Sequence, residues 1–131
     1  MRLPVALTFL LLSSAPLLAQ DDVWRASSKS AISVTGDITM EADRIVFGNG
    51  AILRLVPVQA RIGVFRADPP ANPVLLNGKR LCRADVTYVV LAEGHDDVLF
   101  MKAFDGEEPP HEAISDSAPQ EGSCATYQFK R

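Results

Sequence analysis

The sequence predicts an all-β fold: a small antiparallel β-barrel or sandwich of eight to ten short strands, held by one disulfide. Three observations support this prediction. Apolar side chains recur mostly at every second position, as on strands with one buried face. Turn-forming residues interrupt this alternation about every eight to twelve residues, a spacing typical of sandwiches and small barrels. The chain contains 2 cysteines, Cys82 and Cys124.

Alternating runs predict the strands in the first half of the chain. The residues on either side of Gly36-Asp37 alternate, which predicts that 31–35 and 38–41 form a tight hairpin with the glycine at a positive φ. Three further strands are predicted over residues 44–47, 51–58 and 61–67. The Gly-Asn-Gly sequence at 48–50 provides the turn between the first two of them.

Proline and glycine divide the second half of the chain. Residues 68–73 (Asp-Pro-Pro-Ala-Asn-Pro) predict a rigid extended loop, and Asn77-Gly78 predicts a hairpin-type turn. The nearly continuous apolar run over 85–92 predicts a central strand packed on both faces. The last predicted strands cover residues 98–104 and 124–130. Between them, residues 106–123 lack periodicity and predict a long loop.

The first nineteen residues have the pattern of a secretory signal peptide. A basic start at Met1-Arg2 precedes an apolar run, and Leu17-Leu18-Ala19 forms the exit, so we expect cleavage after Ala19. Residues 20–131 are then a single β-rich domain, exported to the periplasm or secreted. A membrane-spanning helix needs about 20 apolar residues. The run here is about half as long, so no stable span is expected after cleavage, although a retained anchor or an ordinary N-terminal helix stays an alternative.

The two cysteines are expected to form a disulfide, because an exported small domain matures in an oxidising compartment. They lie 42 residues apart. In the chain-entropy model, closing such a loop contributes about 4 kcal/mol to stability. Two free buried thiols are the alternative. Zinc binding is not favoured, because neither cysteine belongs to a C-x-x-C pair.

Charge limits the classes of partner. The chain carries a formal net charge of -3 at pH 7, and loss of residues 1–19 removes only Arg2, which leaves -4. The densest basic group is Lys79, Arg80 and Arg83, which we interpret as a solvated turn. An acidic domain without a basic cluster is not expected to bind nucleic acid.

The sequence does not contain a recognised catalytic or metal-binding motif. It lacks a G-x-S-x-G nucleophile motif, and bridged cysteines cannot act as nucleophiles. A divalent-cation site would have to use acidic and histidine residues that match no compact ligand spacing: Asp96, Asp97, Glu107, Glu108, His111 and Glu112. The other histidine, His95, lies in a polar turn. We therefore expect no cofactor, no metal and no enzymatic activity.

Two proline-stiffened, acidic loops are the predicted binding surface, because a rigid scaffold often presents binding residues on loops. The candidates are Asp68, Pro69, Pro70 and Asn72 in the first loop, and Glu107, Glu108, His111 and Glu112 in the second. The leading hypothesis is a non-enzymatic binding module of the periplasm or cell envelope that binds a protein or envelope component. Trp24 is expected to cover one end of the core.

Other functions stay open. The domain is alternatively a carrier of small apolar ligands, with Val89, Leu91, Phe100 and Phe104 lining a barrel cavity, and an enzyme is the third hypothesis. The export signal, the cysteine pair and the small β domain resemble the periplasmic C-type lysozyme inhibitors, which are small β-barrels with a cysteine bridge. Residues 121–124 (Glu-Gly-Ser-Cys) are similar to the serine- and glycine-rich inhibitory segment of that family. The resemblance implies an inhibitor-like function toward a basic partner such as lysozyme, with no site residues transferred.

Overall fold

A computed structural model describes residues 22–131, which form a closed antiparallel β-barrel of eight strands. In chain order the strands are β1 (Asp22–Ala26), β2 (Ile38–Glu41), β3 (Arg44–Val46), β4 (Ile52–Pro57), β5 (Val64–Ala71), β6 (Val86–Glu93), β7 (Val98–Phe104) and β8 (Ser123–Lys130). Each strand pairs with the next, and β1 pairs with β8 to close the barrel. The predicted all-β fold is confirmed, as a barrel. The predicted signal peptide, residues 1–19, lies outside the described residues.

Alternate side chains along the strands point into the barrel and fill it, as expected for eight strands. Among the largest are Trp24, Met101 and Phe129, each at most 1% exposed. Trp24 therefore belongs to the core, as predicted. The hydroxyl of Tyr127 donates a hydrogen bond to the Leu81 carbonyl oxygen at 3.4 Å. Burial raises the pKa of Tyr127 to about 12.

The predicted strand over 31–35, and with it the hairpin around Gly36, is wrong. Ala31–Thr35 is a short π-helical segment. The Ser28 hydroxyl accepts a hydrogen bond from the Ala31 N–H at 3.2 Å, which supports the start of the segment. Ala31, Val34 and Thr35 are buried, whereas Ile32 is 58% exposed. This spacing is helical, and five residues are too few for the apolar pattern to distinguish it from alternation.

The segment between β5 and β6 packs against the core through Leu75 and Leu81, both 3% exposed. A turn is present at Asn77-Gly78, with positive φ values of 58° and 69°, but the prediction of a hairpin-type turn is wrong. Its flanks are not strands: the turn is a 3-10 helix, Leu76–Gly78. The predicted disulfide is confirmed and joins Cys82 of this segment to Cys124 at the start of β8.

The predicted loop over 68–73 is wrong in its first part, because Asp68–Ala71 belong to β5. The pairing with β6 shifts within this stretch. Arg66 is opposite Tyr88 and Ala71 is opposite Val86, so five steps along β5 match two along β6. The stretch is therefore a large β-bulge. Pro69 and Pro70 have no N–H to donate to a ladder, which explains why the pairing is interrupted there.

Strands β6 and β7 are covered on both faces. Their inner side chains join the barrel core, and their outer side chains form a second apolar cluster with Ala113 of the segment between β7 and β8. We call this segment, residues 105–122, the long loop. The prediction of a central strand packed on both faces is confirmed for β6. Within residues 22–131, no helix has the length and apolar character needed to cross a membrane.

Candidate functional site

The part of the long loop between its two ends is fixed against the outer wall of the barrel. The Arg61 guanidinium donates hydrogen bonds to the carbonyl oxygens of Pro109 at 3.4 Å and Pro110 at 3.1 Å. Lys102, which points outward from β7, is 0% exposed, and its Nζ lies 3.2 Å from Asp116 Oδ1. Two cations, Arg61 in the turn between β4 and β5 and Lys102 on β7, therefore hold the loop at two separate points.

Further contacts fix the ends of the long loop. The Thr87 hydroxyl donates to the carbonyl oxygen of Gly106. The Gln120 side-chain amide donates to the Glu112 carbonyl oxygen at 2.6 Å. Gly63 allows the close approach of loop and wall, because a Cβ on this residue would lie 2.9 Å from the Cβ of Ala113. The loop is thus held in one conformation by the folded barrel, which reduces the entropy that binding would cost.

The fixed loop encloses a cleft of about 420 Å³, here called the acidic cleft. Its polar lining includes Glu108, His111, Glu112 and Glu121, all exposed. Its apolar lining includes Phe104 and Ile114. Within residues 22–131, none of the three glutamates pairs with a basic side chain. The cleft therefore combines an apolar floor with free negative charge, a chemistry that suits a basic side chain with an apolar stem.

The structure places the predicted site residues in two groups. Glu108, His111 and Glu112 line the acidic cleft, and Glu107 is exposed beside it. The residues of the first predicted loop are not among those that line the cleft. Asp68 pairs with Arg66 at 3.7 Å on β5.

Asn72 has a structural role at the end of β5. Its side-chain amide donates to the Cys82 backbone carbonyl oxygen at 2.7 Å, and its backbone carbonyl oxygen accepts from the Arg80 guanidinium at 2.8 Å. Pro69 and Pro70 belong to the bulge of β5. In the described part of the chain, no hydrogen bond or ion pair connects these residues to the residues that line the acidic cleft.

The acidic residues considered for a cation site are also separated. Asp96 and Asp97 lie in the turn before β7, whereas Glu107 and Glu108 follow the other end of this strand. A strand of that length spans roughly 20 Å. Residues 22–131 contain one close group of potential metal ligands, formed by Cys82, Asp105 and Cys124. The two sulfurs of this group are bonded to each other in the disulfide.

The four residues proposed to line a carrier cavity do not face the same space. Val89 and Leu91 point into the barrel, whereas Phe104 belongs to the outer cluster under the long loop. Phe100 pairs with Ala92 of that cluster and shares the outward face of β7. The expectation of one shared cavity is therefore wrong. The sequence did not reveal this, because β7 is apolar on both faces.

A second cleft, of about 490 Å³, opens at the end of the barrel where β1 begins and β6 ends. We call it the barrel mouth. Its apolar lining includes Trp24, Met40, Ile62, Phe65, Leu91 and Leu99, and its charged lining consists of Asp22 and Glu93. Ile62 is 97% exposed at its edge.

Arg131, which follows β8, contacts three residues that line the barrel mouth. Its guanidinium carbon is 4.2 Å from the centre of the Trp24 ring. Its Nη1 is 3.4 Å from Asp22 Oδ1, and its Nη2 is 3.7 Å from Glu93 Oε1. Sequence reasoning missed this site because its members come from distant parts of the chain and form no local pattern. The contact of Lys102 with the long loop did leave a signal in the sequence, because Lys102 is the one charged residue within the apolar stretch of β7.

Comparison of the chain with known protein families, with curated proteins and with solved structures finds no match.

Proposed function

We propose that the domain is a non-enzymatic, exported binding module that binds a basic protein through the acidic cleft of the long loop. One observation carries the proposal. The long loop is fixed to the barrel by Arg61 and by the buried Lys102, while the carboxylates of Glu108, Glu112 and Glu121 stay exposed and without a basic partner among the described residues.

A rigid loop suits this function because binding then orders little that is not already ordered. Arg61 contacts backbone carbonyl oxygens of the loop and Lys102 contacts the Asp116 side chain, so neither uses the carboxylates of the cleft. These carboxylates are left to meet a partner. Negative charge at the rim steers a basic protein to the site, and the apolar floor at Phe104 and Ile114 supplies contact area.

The disulfide supports the exported part of the proposal. Cys82–Cys124 ties the segment before β6 to β8, and disulfides persist in oxidising compartments such as the periplasm. The resemblance to C-type lysozyme inhibitors suggests a first partner to test, since a C-type lysozyme is a basic protein.

The experiment titrates the domain into a C-type lysozyme at several salt concentrations, by calorimetry. A double variant, Glu108→Gln with Glu112→Gln, removes two charges from the acidic cleft. We expect about a tenfold loss of affinity at low salt and a weaker dependence on salt, since interfacial charges of this kind are screened over about 10 Å. Lysozyme activity in the same mixtures shows whether binding inhibits the enzyme.

The matched control is Asp96→Asn with Asp97→Asn, which changes the net charge equally at the opposite end of β7. Asparagine also tolerates the positive φ values of 60° and 57° at these positions. We expect less than a twofold change in affinity for this control. Equal losses for the two double variants would show that net charge alone drives binding. No binding to lysozyme, and none to other basic proteins of the periplasm, would refute the proposal.

A further inference from the structure

Three residues that line the barrel mouth form contacts that suit an arginine side chain, and the chain's own Arg131 makes these contacts. The guanidinium stacks on the Trp24 ring and lies between two carboxylates, those of Asp22 and Glu93. The Arg131 N–H donates to the Asp97 carbonyl oxygen at 3.1 Å, which extends the ladder between β8 and β7 by one residue. The mouth therefore recognises the side chain of an arginine.

We call the Trp24 ring with the Asp22 and Glu93 carboxylates the cage, and the barrel preorganises it. The Trp24 ring is 1% exposed, and its indole N–H donates to Asp22 Oδ2 at 3.2 Å, which orients this carboxylate beside the ring. An aromatic face flanked by carboxylates is the environment that a guanidinium prefers, because it combines cation–π attraction with charge-assisted hydrogen bonds. The Arg131 side chain is 47% exposed there.

The cleft next to the cage is larger than Arg131 needs. It extends over Met40, Phe65 and Leu91, and Ile62 stands almost fully exposed at its edge. A volume of about 490 Å³ is within the usual range for ligand sites. The unused part is apolar, so a ligand that fits the whole mouth carries an apolar group beside its guanidinium.

We propose that the barrel mouth is a second binding site, for an arginine of a partner polypeptide that is flanked by an apolar residue, and that Arg131 occupies this site as an internal competitor. Charge complementarity favours this occupant, because the rim carries two carboxylates and the observed occupant is an arginine. The site and the acidic cleft share no lining residue, although the long loop also contributes Ala113 and Ser115 to the mouth. The ligand and the variants that test this site differ from those that test the acidic cleft, so the two proposals can fail separately.

The test uses Trp24 fluorescence, because the chain has 1 tryptophan and it forms the floor of the cage. The probe is the dipeptide N-acetyl-leucyl-arginine amide. The same dipeptide with citrulline in place of arginine is the matched control, since citrulline keeps the shape and loses the charge. The protein is titrated as wild type and as Arg131→Gln, which removes the internal competitor. Arg54→Gln, at another half-exposed arginine, controls for the change in net charge.

We expect Arg131→Gln to bind the arginine dipeptide about five- to tenfold more tightly than wild type, and Arg54→Gln to bind it like wild type. Adding Glu93→Gln to Arg131→Gln should remove most of that gain. The citrulline dipeptide should bind to none of these proteins. If Arg131→Gln does not fold, Arg131→Lys replaces it, with an expected gain of about two- to threefold, because lysine lacks the planar fork of arginine.

Three results would overturn the proposal. Equal affinity of wild type and Arg131→Gln would show that Arg131 does not compete for the site. Equal binding of the arginine and citrulline dipeptides would show that the mouth does not recognise the cation. Free arginine amide that binds as tightly as the dipeptide would show a site for small cations, without the apolar contact that a polypeptide partner requires.

Discussion

The ion pair between Lys102 and Asp116 gives the sharpest prediction about how the long loop is held. Lys102 is 0% exposed and lies opposite Val90, whereas the Asp116 side chain is 56% exposed. Removing one partner of a fully buried ion pair costs about 3–5 kcal/mol, and removing an exposed pair costs about 1 kcal/mol or less. With one partner buried and the other half exposed, we expect Asp116→Asn to destabilise the domain by about 1–3 kcal/mol.

Lys102→Met should behave differently, because it removes the buried charge together with its need for a partner. Replacement of a buried ion pair by well-packed apolar residues is often neutral or stabilising. We expect Lys102→Met to change the free energy of unfolding by less than about 1 kcal/mol. In the Lys102→Met background, Asp116→Asn should then change it by less than about 0.5 kcal/mol, as for an ordinary surface substitution. The cycle isolates the coupling between the two residues.

The assay is urea unfolding followed by Trp24 fluorescence, with thermal unfolding as a second measure. A loss of 1–3 kcal/mol corresponds to a fall of roughly 4–12 °C in Tm for a domain of this size. The m-value should stay constant, since the surface exposed on unfolding is unchanged. If Lys102→Met were as destabilising as Asp116→Asn, or if Asp116→Asn were neutral in both backgrounds, the reasoning about the buried charge would be refuted.

Three further predictions concern stability. Burial raises the pKa of Tyr127 to about 12, so this side chain ionises at lower pH in the unfolded chain than in the folded one. Stability should therefore fall as the pH rises from about 10 to about 12. Unfolding curves of Tyr127→Phe should lack this pH dependence. Replacing Cys82 and Cys124 together by serine should lower stability by about 2–4 kcal/mol, measured by urea unfolding; an unchanged midpoint would contradict a structural role for the bridge. Gly63→Ala should cost at least about 1–2 kcal/mol in thermal unfolding, because φ is +81° and the added Cβ meets the long loop, whereas Gly78→Ala (φ +69°, open space) is the control for the backbone strain alone.

The sequence was sufficient for most of the fold because the strands carry period-two patterns that few other structures share. The run over 98–104 coincides with β7, and the predicted strand at 124–130 differs from β8 by one residue. The pattern failed where it was short. At 31–35, the apolar pattern of five residues fits a helical face as well as a strand face. The Ser28 contact that supports the helix leaves no trace in the apolar pattern.

The candidate site was less predictable, because it depends on which face of a strand a residue occupies. Phe100 and Phe104 look like interior residues of a barrel, yet they lie on the outer face of β7 beneath or beside the long loop. Lys102 lies between them on the same face, and a lone charge in an apolar strand indicates which face is outward. The barrel mouth could not be predicted at all, since Asp22, Glu93 and Arg131 meet only after closure of the barrel.

Closure itself constrains the order in which the domain folds. The seam between β1 and β8 has two paired positions, whereas β7 and β8 share seven, and the Gln128 N–H reaches the Ser28 hydroxyl across 100 residues of sequence. Contacts between such distant segments form slowly, because a long loop must close before they contribute any stability. During synthesis, β1 has to wait for almost the whole chain before its second neighbour exists. Until then its outer edge is an unpaired template for other strands, and the interval before closure is when this domain is most exposed to aggregation.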